Sequence, residues 1–155
     1  MAAQPVVEPV ERGDRAHVAG RRLGDHGGDL VAELAGHLAV AGTVVGCSVT
    51  GDDPVLPPDD VLQVGLAVNE LVTNAYKYAF AGRDRGRVAI TVQDGGEQVE
   101  IRVADDGVGV PTGVDLAHDG GLGMTIVRSI VQQLGGDLVV EVCDGSCFTI
   151  RLPRR

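Results

Sequence analysis

Aromatic residues are scarce in this chain of 155 residues: they make up 3% of it, and none of them is tryptophan. Hydrophobic residues still reach 44%, so the core of a single domain must be built mainly from Val, Leu, Ile and Ala. No apolar run approaches the roughly 18 residues that a membrane span requires. We therefore expect a soluble chain that makes no contact with a membrane.

Positive charge is also in short supply, because 13 Lys and Arg face 22 Asp and Glu and the formal net charge is −9. Surfaces that bind nucleic acid are basic, so the composition argues against nucleic acid as a partner. An anionic ligand would have to be held by backbone N–H groups, by a metal ion or by a few local cations.

Cysteine is limited to three residues, an odd number, and no signal peptide is visible. Both features favour a reducing, cytoplasmic compartment. Cys143 and Cys147 lie four residues apart, but no second Cys/His pair completes a zinc set, so we expect both to pack in strands.

Hydrophobic periodicity predicts a mixed, mostly antiparallel sheet that is covered on one face by three helices, a two-layer α/β (α+β) sandwich. Asp59 or Asp60 is expected to cap the second helix. Residues 1–27 read as a linker, and residues 28–155 as the folded domain. The predicted helices cover residues 29–42, 61–80 and 124–136, and the predicted strands cover residues 43–49, 87–93, 98–104, 137–142 and 147–153.

Polar side chains interrupt the second predicted helix in "NELVTNAYKYAF". Glu70, Asn74, Lys77 and Tyr78 recur at spacings that place them along one edge of a helix. A carboxylate, an amide oxygen and an ammonium in one row suit a hydrated Mg²⁺ that carries phosphates. The alternative interpretation is a solvated helix face, since charged helix faces are common.

Two glycine-rich motifs follow the predicted strands and helices in a fixed order. In "VADDGVGVP" a strand ends at Asp105, and Gly107 and Gly109 then allow a ligand to approach closely. An Asp fixed at a strand end can accept a hydrogen bond from an exocyclic amine such as that of adenine. An ordinary Asp-Gly turn is the alternative.

The second glycine-rich motif is "DGGLGM", which leads directly into the third predicted helix. Free N–H groups and the helix dipole make such a helix start a candidate phosphate site. A flexible linker is the alternative. A Walker-type phosphate loop does not occur in the sequence.

Together these motifs resemble the ATP-binding (Bergerat, GHKL) fold shared by DNA gyrase, the Hsp90 chaperones, histidine kinases and MutL. "NELVTNAYKYAF" resembles the N box of histidine kinases, "DDGVG" the G1 box and "GGLGM" the G2 box. "GSCFTIRLP" resembles their closing strand, with Ser146 in place of Thr. The residues of the N box and the short loop between the G1 and G2 boxes resemble those of the HWE-like subgroup of histidine kinases, which has a second-type dimerisation domain.

The resemblance implies a role for each residue that it matches. Asn74 would ligate Mg²⁺, and Glu70 would polarise the attacking group or a water. The γ-phosphoryl group of ATP would pass to a histidine on a separate dimerisation domain, in the same longer chain or another subunit, and then to a response regulator. The nucleotide would otherwise be bound by Lys77 at phosphate, Tyr78 and Asp105 at adenine, Gly107 and Gly109 at the base pocket, Gly121, Leu122, Gly123 and Met124 as a lid, and Ser146.

Two features depart from the family pattern. The segment between the G1 and G2 boxes is short and lacks an F box, and no phosphoacceptor motif surrounds His17, His26, His37 or His118. The resemblance implies that residues 1–27 are either a linker or the remnant of a dimerisation helix, and that the isolated chain should bind ATP without phosphorylating itself. The alternatives are a stand-alone serine kinase and regulator of the anti-sigma-factor type, or a nucleotide-binding scaffold without catalysis.

Overall fold

A computed structural model of the chain describes residues 43–111, 113–115 and 119–154. The predicted first helix (29–42), the linker 1–27 and all four histidines lie outside the described residues. In chain order the elements are β1 (Val44–Gly51), α1 (Pro58–Asn74), a π-helical turn (Ala75–Ala79), β2 (Arg85–Asp94), β3 (Gln98–Asp105), α2 (Gly121–Gln133), β4 (Asp137–Val142) and β5 (Ser146–Pro153).

The five strands form one sheet in the order β1-β2-β3-β5-β4. β1 and β2 run parallel and are joined through α1, whereas the other three neighbouring pairs run antiparallel. Tight turns connect β2 to β3 and β4 to β5, as the hairpin patterns predict. The predicted mixed, mostly antiparallel sheet is therefore confirmed.

Alternation along the strands sends every second side chain into an aliphatic core. On β3, for example, Val99, Ile101 and Val103 are buried. α1 and α2 pack against each other and share this core with the sheet, which gives the predicted two-layer arrangement. Of the three predicted helices, these two lie in the described residues, where no helix is long and apolar enough to cross a membrane.

α1 begins at Pro58, three residues before the predicted start, and Pro57 occupies the N-cap position. Proline is favoured in the first helical turn, because it lacks an N–H that would have no partner there. The prediction that Asp59 or Asp60 caps the helix is wrong, since no side chain caps it. Both carboxylates lie in the first turn, where they oppose the positive end of the helix dipole.

The second predicted helix does not continue as an α-helix to Phe80, because Ala75–Ala79 form a π-helical turn. The backbone N–H of Val108 donates to the carbonyl of Ala79 at 2.8 Å, so this end of the helix is bound to the turn after β3. The ring of Phe80 occupies the space beside Gly86, where a Cβ would overlap it. The hydrophobic periodicity of one segment cannot predict these two contacts, because each of them joins two different segments of the chain.

α2 starts at Gly121, three residues before the predicted start, and ends close to the predicted Gly135. Gly135 has a φ of 70°, and its N–H donates to the carbonyl of Gln132. The N–H of Gly136 donates to the carbonyl of Val131, which completes a Schellman motif.

Cys143 and Cys147 form a disulfide across the β4–β5 turn. The expectation that both pack in strands holds for Cys147, which is buried in β5, and is wrong for Cys143, which is exposed in the turn. The turn brings their Cα atoms to 6.1 Å, within the usual range for a disulfide. The third cysteine, Cys47, is a buried free thiol.

Candidate functional site

An open cleft of about 500 Å³ lies where the end of α1, the turn after β3, the start of α2 and the β4–β5 turn meet. Its volume is typical of sites for small molecules and cofactors. The predicted site residues that line it are Asn74, Tyr78, Asp105, Gly109, Gly121, Met124 and Ser146.

Asp105 is the last residue of β3 and is 6% exposed. Its Oδ1 accepts two hydrogen bonds, from the N–H of Gly107 at 2.9 Å and from the N–H of Ser146 at 3.2 Å. Both of these hydrogen bonds use the same oxygen, which leaves Oδ2 as an acceptor for a ligand in the cleft. Ser146 therefore contacts Asp105 through its backbone N–H.

The environment of Asp105 changes its acidity. Burial raises the pKa of this carboxyl, since desolvation disfavours the charged form. The N–H groups of Gly107 and Ser146 and the guanidinium of Arg83 act in the opposite direction, while the Asp106 carboxylate adds to the increase in pKa. The net effect is a pKa above the ordinary value for an aspartate.

Two glycines allow the backbone to close around Asp105. A Cβ at Gly145 would overlap the carbonyl and Oδ1 of Asp105, and a Cβ at Gly107 would overlap the carbonyl of Ala79. Only a residue without a side chain fits in either place. Gly107 was predicted as a site residue, whereas Gly145 was recognised only as part of the closing-strand motif.

The carboxylate and amide of the N-box segment meet the first turn of α2. A Cβ at Gly123 would lie 2.7 Å from Oε2 of Glu70 and 3.6 Å from Oδ1 of Asn74. Glu70 and Gly123 are therefore next to Asn74, although they do not line the cleft themselves. The predicted juxtaposition of N box and G2 box exists in the structure.

The two tyrosines of the π-helical turn have different environments. Tyr76 is 2% exposed in the core, where burial raises the pKa of its phenol to about 12. Tyr78 is 69% exposed and lines the cleft. Lys77 is exposed between them and does not line the cleft.

The G2 segment forms the first turn of α2 rather than a loop before it. Leu122 is 78% exposed and points away from the core, whereas Met124 is buried against it. Among the described residues no side chain caps this helix start, and the N–H groups of a first helical turn can bind an anion.

The sequence patterns did not identify the apolar walls of the cleft. These are formed in part by Val108, Val110, Pro111, Val114 and Phe148. The available signal was the apolar residues between the glycines of "DDGVGVP", which an exposed loop would not need. Apolar walls beside the Asp105 carboxylate suit an aromatic heterocycle.

The family profile described as histidine kinase-, DNA gyrase B- and HSP90-like ATPase matches residues 59–155, which is more than half of the chain. The chain belongs to this ATPase family. The resemblance of its N, G1 and G2 boxes is thereby confirmed, and so is the fold class.

The curated relatives of this ATPase domain include sensor histidine kinases. Blue-light-activated histidine kinase 2 of Erythrobacter litoralis is 36% identical over 79% of this chain and 36% of its own length. Sensor histidine kinase PdtaS of Mycolicibacterium smegmatis is 31% identical over 81% of this chain and 26% of its own length. The chain thus spans about a third or less of these relatives.

Among solved structures, the histidine kinase domain of an Erythrobacter litoralis blue-light activated histidine kinase superposes with a TM-score of 0.77. It is 31% identical, and the match covers 90% of this chain and 66% of that one. A mycobacterial sensor histidine kinase, MprB, superposes with a TM-score of 0.62 at 23% identity, a likeness of fold alone.

The donor groups of the ATPase domain fit a magnesium ion that is held largely by its substrate. Within the described ranges there is no group of three or more His, Cys, Asp or Glu that could enclose a metal. Glu70 and Asn74 together offer oxygen atoms beside the first turn of α2. Mg²⁺ commonly keeps several waters and binds through one or two side chains plus phosphates.

Proposed function

We propose that this chain is the ATP-binding catalytic domain of a two-component sensor histidine kinase. In this proposal it binds Mg²⁺-ATP and transfers the γ-phosphoryl group to a histidine on a separate dimerisation domain, from which a response regulator receives it. The observation that carries the proposal is the position of Asp105, which lines the same cleft as Asn74 and whose Oδ1 accepts both backbone hydrogen bonds.

The adenine base would lie at the Asp105 end of the cleft. Oδ2 of Asp105 accepts a hydrogen bond from the exocyclic amine, while the apolar walls cover the faces of the ring. Gly107 and Gly109 let the backbone approach the base, and Tyr78 lies against it from the exposed side. Support comes from the environment of Asp105, which is buried and lines this cleft.

The phosphates would lie between Asn74 and the start of α2. The N–H groups of Gly121, Leu122 and Gly123 in the first turn of α2 and the positive end of the helix dipole bind anionic oxygens, so an acidic protein needs few cations here. Lys77 lies outside the cleft lining, and we propose that it acts as a mobile positive charge near the cleft entrance. Leu122 shields the phosphate end from water.

Asn74 would hold the magnesium ion through Oδ1, with Glu70 ordering its water or polarising the attacking imidazole. The ion supplies charge neutralisation at the phosphates when it is bound. Phosphoryl transfer then depends mostly on positioning and electrostatic stabilisation, which this arrangement of an amide, a carboxylate and helix N–H groups provides. The receiving histidine comes from another domain, so the isolated chain does not label itself.

Calorimetry with a non-hydrolysable ATP analogue tests the site. We expect binding that strengthens with Mg²⁺ in the wild type, and an Asn74→Ala variant that has lost most of this dependence on the metal. Asn69→Ala is a matched control on the same helix, because Asn69 does not line the cleft. An Asn74→Ala variant with wild-type affinity and metal dependence would show that the proposed metal ligand is wrong.

A second experiment tests the reaction. The chain is mixed with a matching histidine-bearing dimerisation domain and γ-labelled ATP, and the labelled bond is then exposed to acid and to alkali. Acid-labile, alkali-stable label on the added domain is the expected result. Acid-stable label on serine would favour the anti-sigma-factor type of kinase instead.

A further inference from the structure

The loop between the π-helical turn and β2 contacts the G1 turn from outside the cleft. Arg83 lies in this loop, and its guanidinium Nη1 donates to the backbone carbonyl of Asp106 at 2.6 Å. The backbone of Arg83 is itself held, since its N–H donates to the carbonyl of Phe80 at 3.1 Å and its carbonyl accepts from the Thr43 hydroxyl at 2.7 Å. The guanidinium therefore extends from an anchored backbone.

Asp106 is fixed by further bonds to the start of β2. Its Oδ1 accepts from the backbone N–H of Arg87 at 2.7 Å, and its own N–H donates to the carbonyl of Arg87 at 3.2 Å. With the Arg83 contact, the N–H, the carbonyl and the carboxylate of this one residue are all engaged. Asp106 is thus a fixed point, although its side chain is exposed.

Asp106 lies in the chain between Asp105 and Gly107, which both contribute to the base pocket. The Asp106 carbonyl belongs to the peptide whose N–H is that of Gly107, and this N–H donates to Oδ1 of Asp105. A peptide group is planar, so a donor that fixes its carbonyl also fixes the direction of its N–H. Holding the Asp106 carbonyl in place therefore holds the hydrogen bond that orients Asp105.

We propose that Arg83 is a positioning residue for the nucleotide base, which acts through the Asp106–Gly107 peptide to hold the Asp105 carboxylate in its binding orientation. This inference rests on the proposed function, because it assumes that Asp105 accepts a hydrogen bond from adenine. Arg83 does not line the cleft and need not touch the ligand.

Arg83 also acts on Asp105 through its charge. The charged groups that influence this carboxyl are Asp106, which raises its pKa, and Arg83, which lowers it. Removing the guanidinium should therefore raise the pKa of Asp105 further. The carboxylate would then be protonated at a higher pH, and the acid loss of nucleotide binding would begin at a higher pH than in the wild type.

The first experiment compares Arg83→Gln, Arg83→Lys and Arg85→Gln by calorimetry with ADP over a series of pH values. Arg85 is an exposed cation two residues away, and its side chain makes no hydrogen bond or ion pair with another described residue. Its variant changes the net charge by the same amount without removing such a contact. We expect Arg83→Gln to weaken binding about fivefold, as loss of one such hydrogen bond implies.

Arg83→Lys should recover part of the affinity, because it keeps the charge and one donor, and Arg85→Gln should bind as the wild type does. The acid midpoint should move to higher pH in Arg83→Gln alone. Equal affinities and midpoints in Arg83→Gln and Arg85→Gln would overturn the proposal, even when the wild type binds ADP normally.

A second measurement needs no nucleotide. Amide hydrogen exchange on the ligand-free protein should show faster exchange at Gly107 in Arg83→Gln than in Arg85→Gln, with the core amides of β3 unchanged as a check on folding. Unchanged exchange at Gly107 would overturn the positioning role. A wild type that binds no ADP would instead contradict the proposed function, so the two failures are distinguishable.

Discussion

The two ends of the cleft are built from contacts of different range. At the base end, hydrogen bonds join residues far apart in the chain, such as Ser146 to Asp105 and Arg87 to Asp106. Toward the phosphate end, the N–H of Val114 donates to the carbonyl of Pro111 and the N–H of Asp119 donates to that of Asp115, so these bonds join near neighbours. One end is held by the sheet, and the other by its own loop.

This difference implies that the base pocket is fixed by the fold before any ligand arrives. A polar group fixed by long-range contacts has already lost its freedom during folding, so binding costs little further entropy there. We expect changes at the base end to alter both stability and affinity. Changes at the phosphate end should alter the chemistry more than the binding of the base.

The largest effect is expected from Gly145→Ala. Its Cβ would overlap the carbonyl and Oδ1 of Asp105, which are backbone and buried side-chain atoms that cannot move aside. Overpacking of this kind typically costs about 1–3 kcal/mol of stability. Thermal unfolding should show this loss, and calorimetry should show that nucleotide binding is lost.

Gly95→Ala is the matched control for Gly145→Ala, since it lies in the other hairpin turn and its Cβ would meet only a carbonyl at 3.2 Å. It should keep wild-type affinity. Equal behaviour of the two variants would mean that the Gly145 contact does not shape the base pocket.

The second-largest effect on nucleotide binding is expected from Asp105→Asn. The amide can keep the acceptor that Gly107 and Ser146 use, but it places an NH₂ group opposite the amine of adenine, where two donors meet. We expect affinity for the ATP analogue to fall about tenfold to a hundredfold. Asp137→Asn, an exposed change at the other end of β4, should leave it intact.

Asp105→Asn should lower nucleotide affinity but should not lower the stability of the fold. Because the folded state raises the pKa of Asp105, its favourable contribution is present below the unfolded pKa and is lost as pH rises through the folded one. At neutral pH the ionised carboxylate therefore costs stability. The thermal midpoint of the variant near pH 7 should equal or exceed that of the wild type, and a clear decrease would contradict this reasoning.

A smaller effect is expected from pH alone. Nucleotide affinity should decline as pH falls from about 7 toward the ordinary aspartate pKa of about 4, and the decline should begin above that value because burial raises the pKa of Asp105. The phosphates of the nucleotide titrate in the same range. The decisive quantity is thus the ratio of the nucleotide affinities of wild type and Asp105→Asn, measured at each pH. This ratio should change with pH if Asp105 is responsible and stay constant if it is not.

Gly123→Ala should change nucleotide affinity least, by less than about threefold, because the group it displaces is the end of a flexible side chain. Its Cβ would approach Oε2 of Glu70 at 2.7 Å and move the carboxylate away from Asn74. Phosphoryl transfer to an added dimerisation domain should slow at least about tenfold, if Glu70 acts there.

Gly65→Ala is the control for Gly123→Ala, since this helical glycine has open space at its Cβ position. It should gain about 1 kcal/mol of stability from helix propensity and leave both binding and transfer unchanged. Slower transfer in Gly65→Ala as well would assign the effect to the helix rather than to Glu70.

Much of the fold was predictable because its signals are local. Alternation of apolar residues located β2 and β3, and the glycine-rich turn between them indicated their pairing. The π-helical turn and the true start of α2 were not predictable in this way. Both depend on contacts with distant segments, as the bond from Val108 to Ala79 illustrates.

Some residues of the candidate site were predictable from the sequence and others were not. Asp105 and Asn74 were identified from motifs, since each lies at the end of the element that presents it to the cleft. Gly145, Arg83 and the apolar walls were not identified as site residues. Their positions follow from the pairing of β5 with β3 and from the loop that precedes β2.

By itself, the sequence determined the family, the order of the described strands and α-helices and the place of Asp105 at the end of β3, because motif and periodicity are properties of neighbouring residues. Only the tertiary structure decided which oxygen of Asp105 remains for a ligand and which residues hold it. Those outcomes depend on hydrogen bonds between segments up to 41 residues apart, and only the folded sheet brings such segments together.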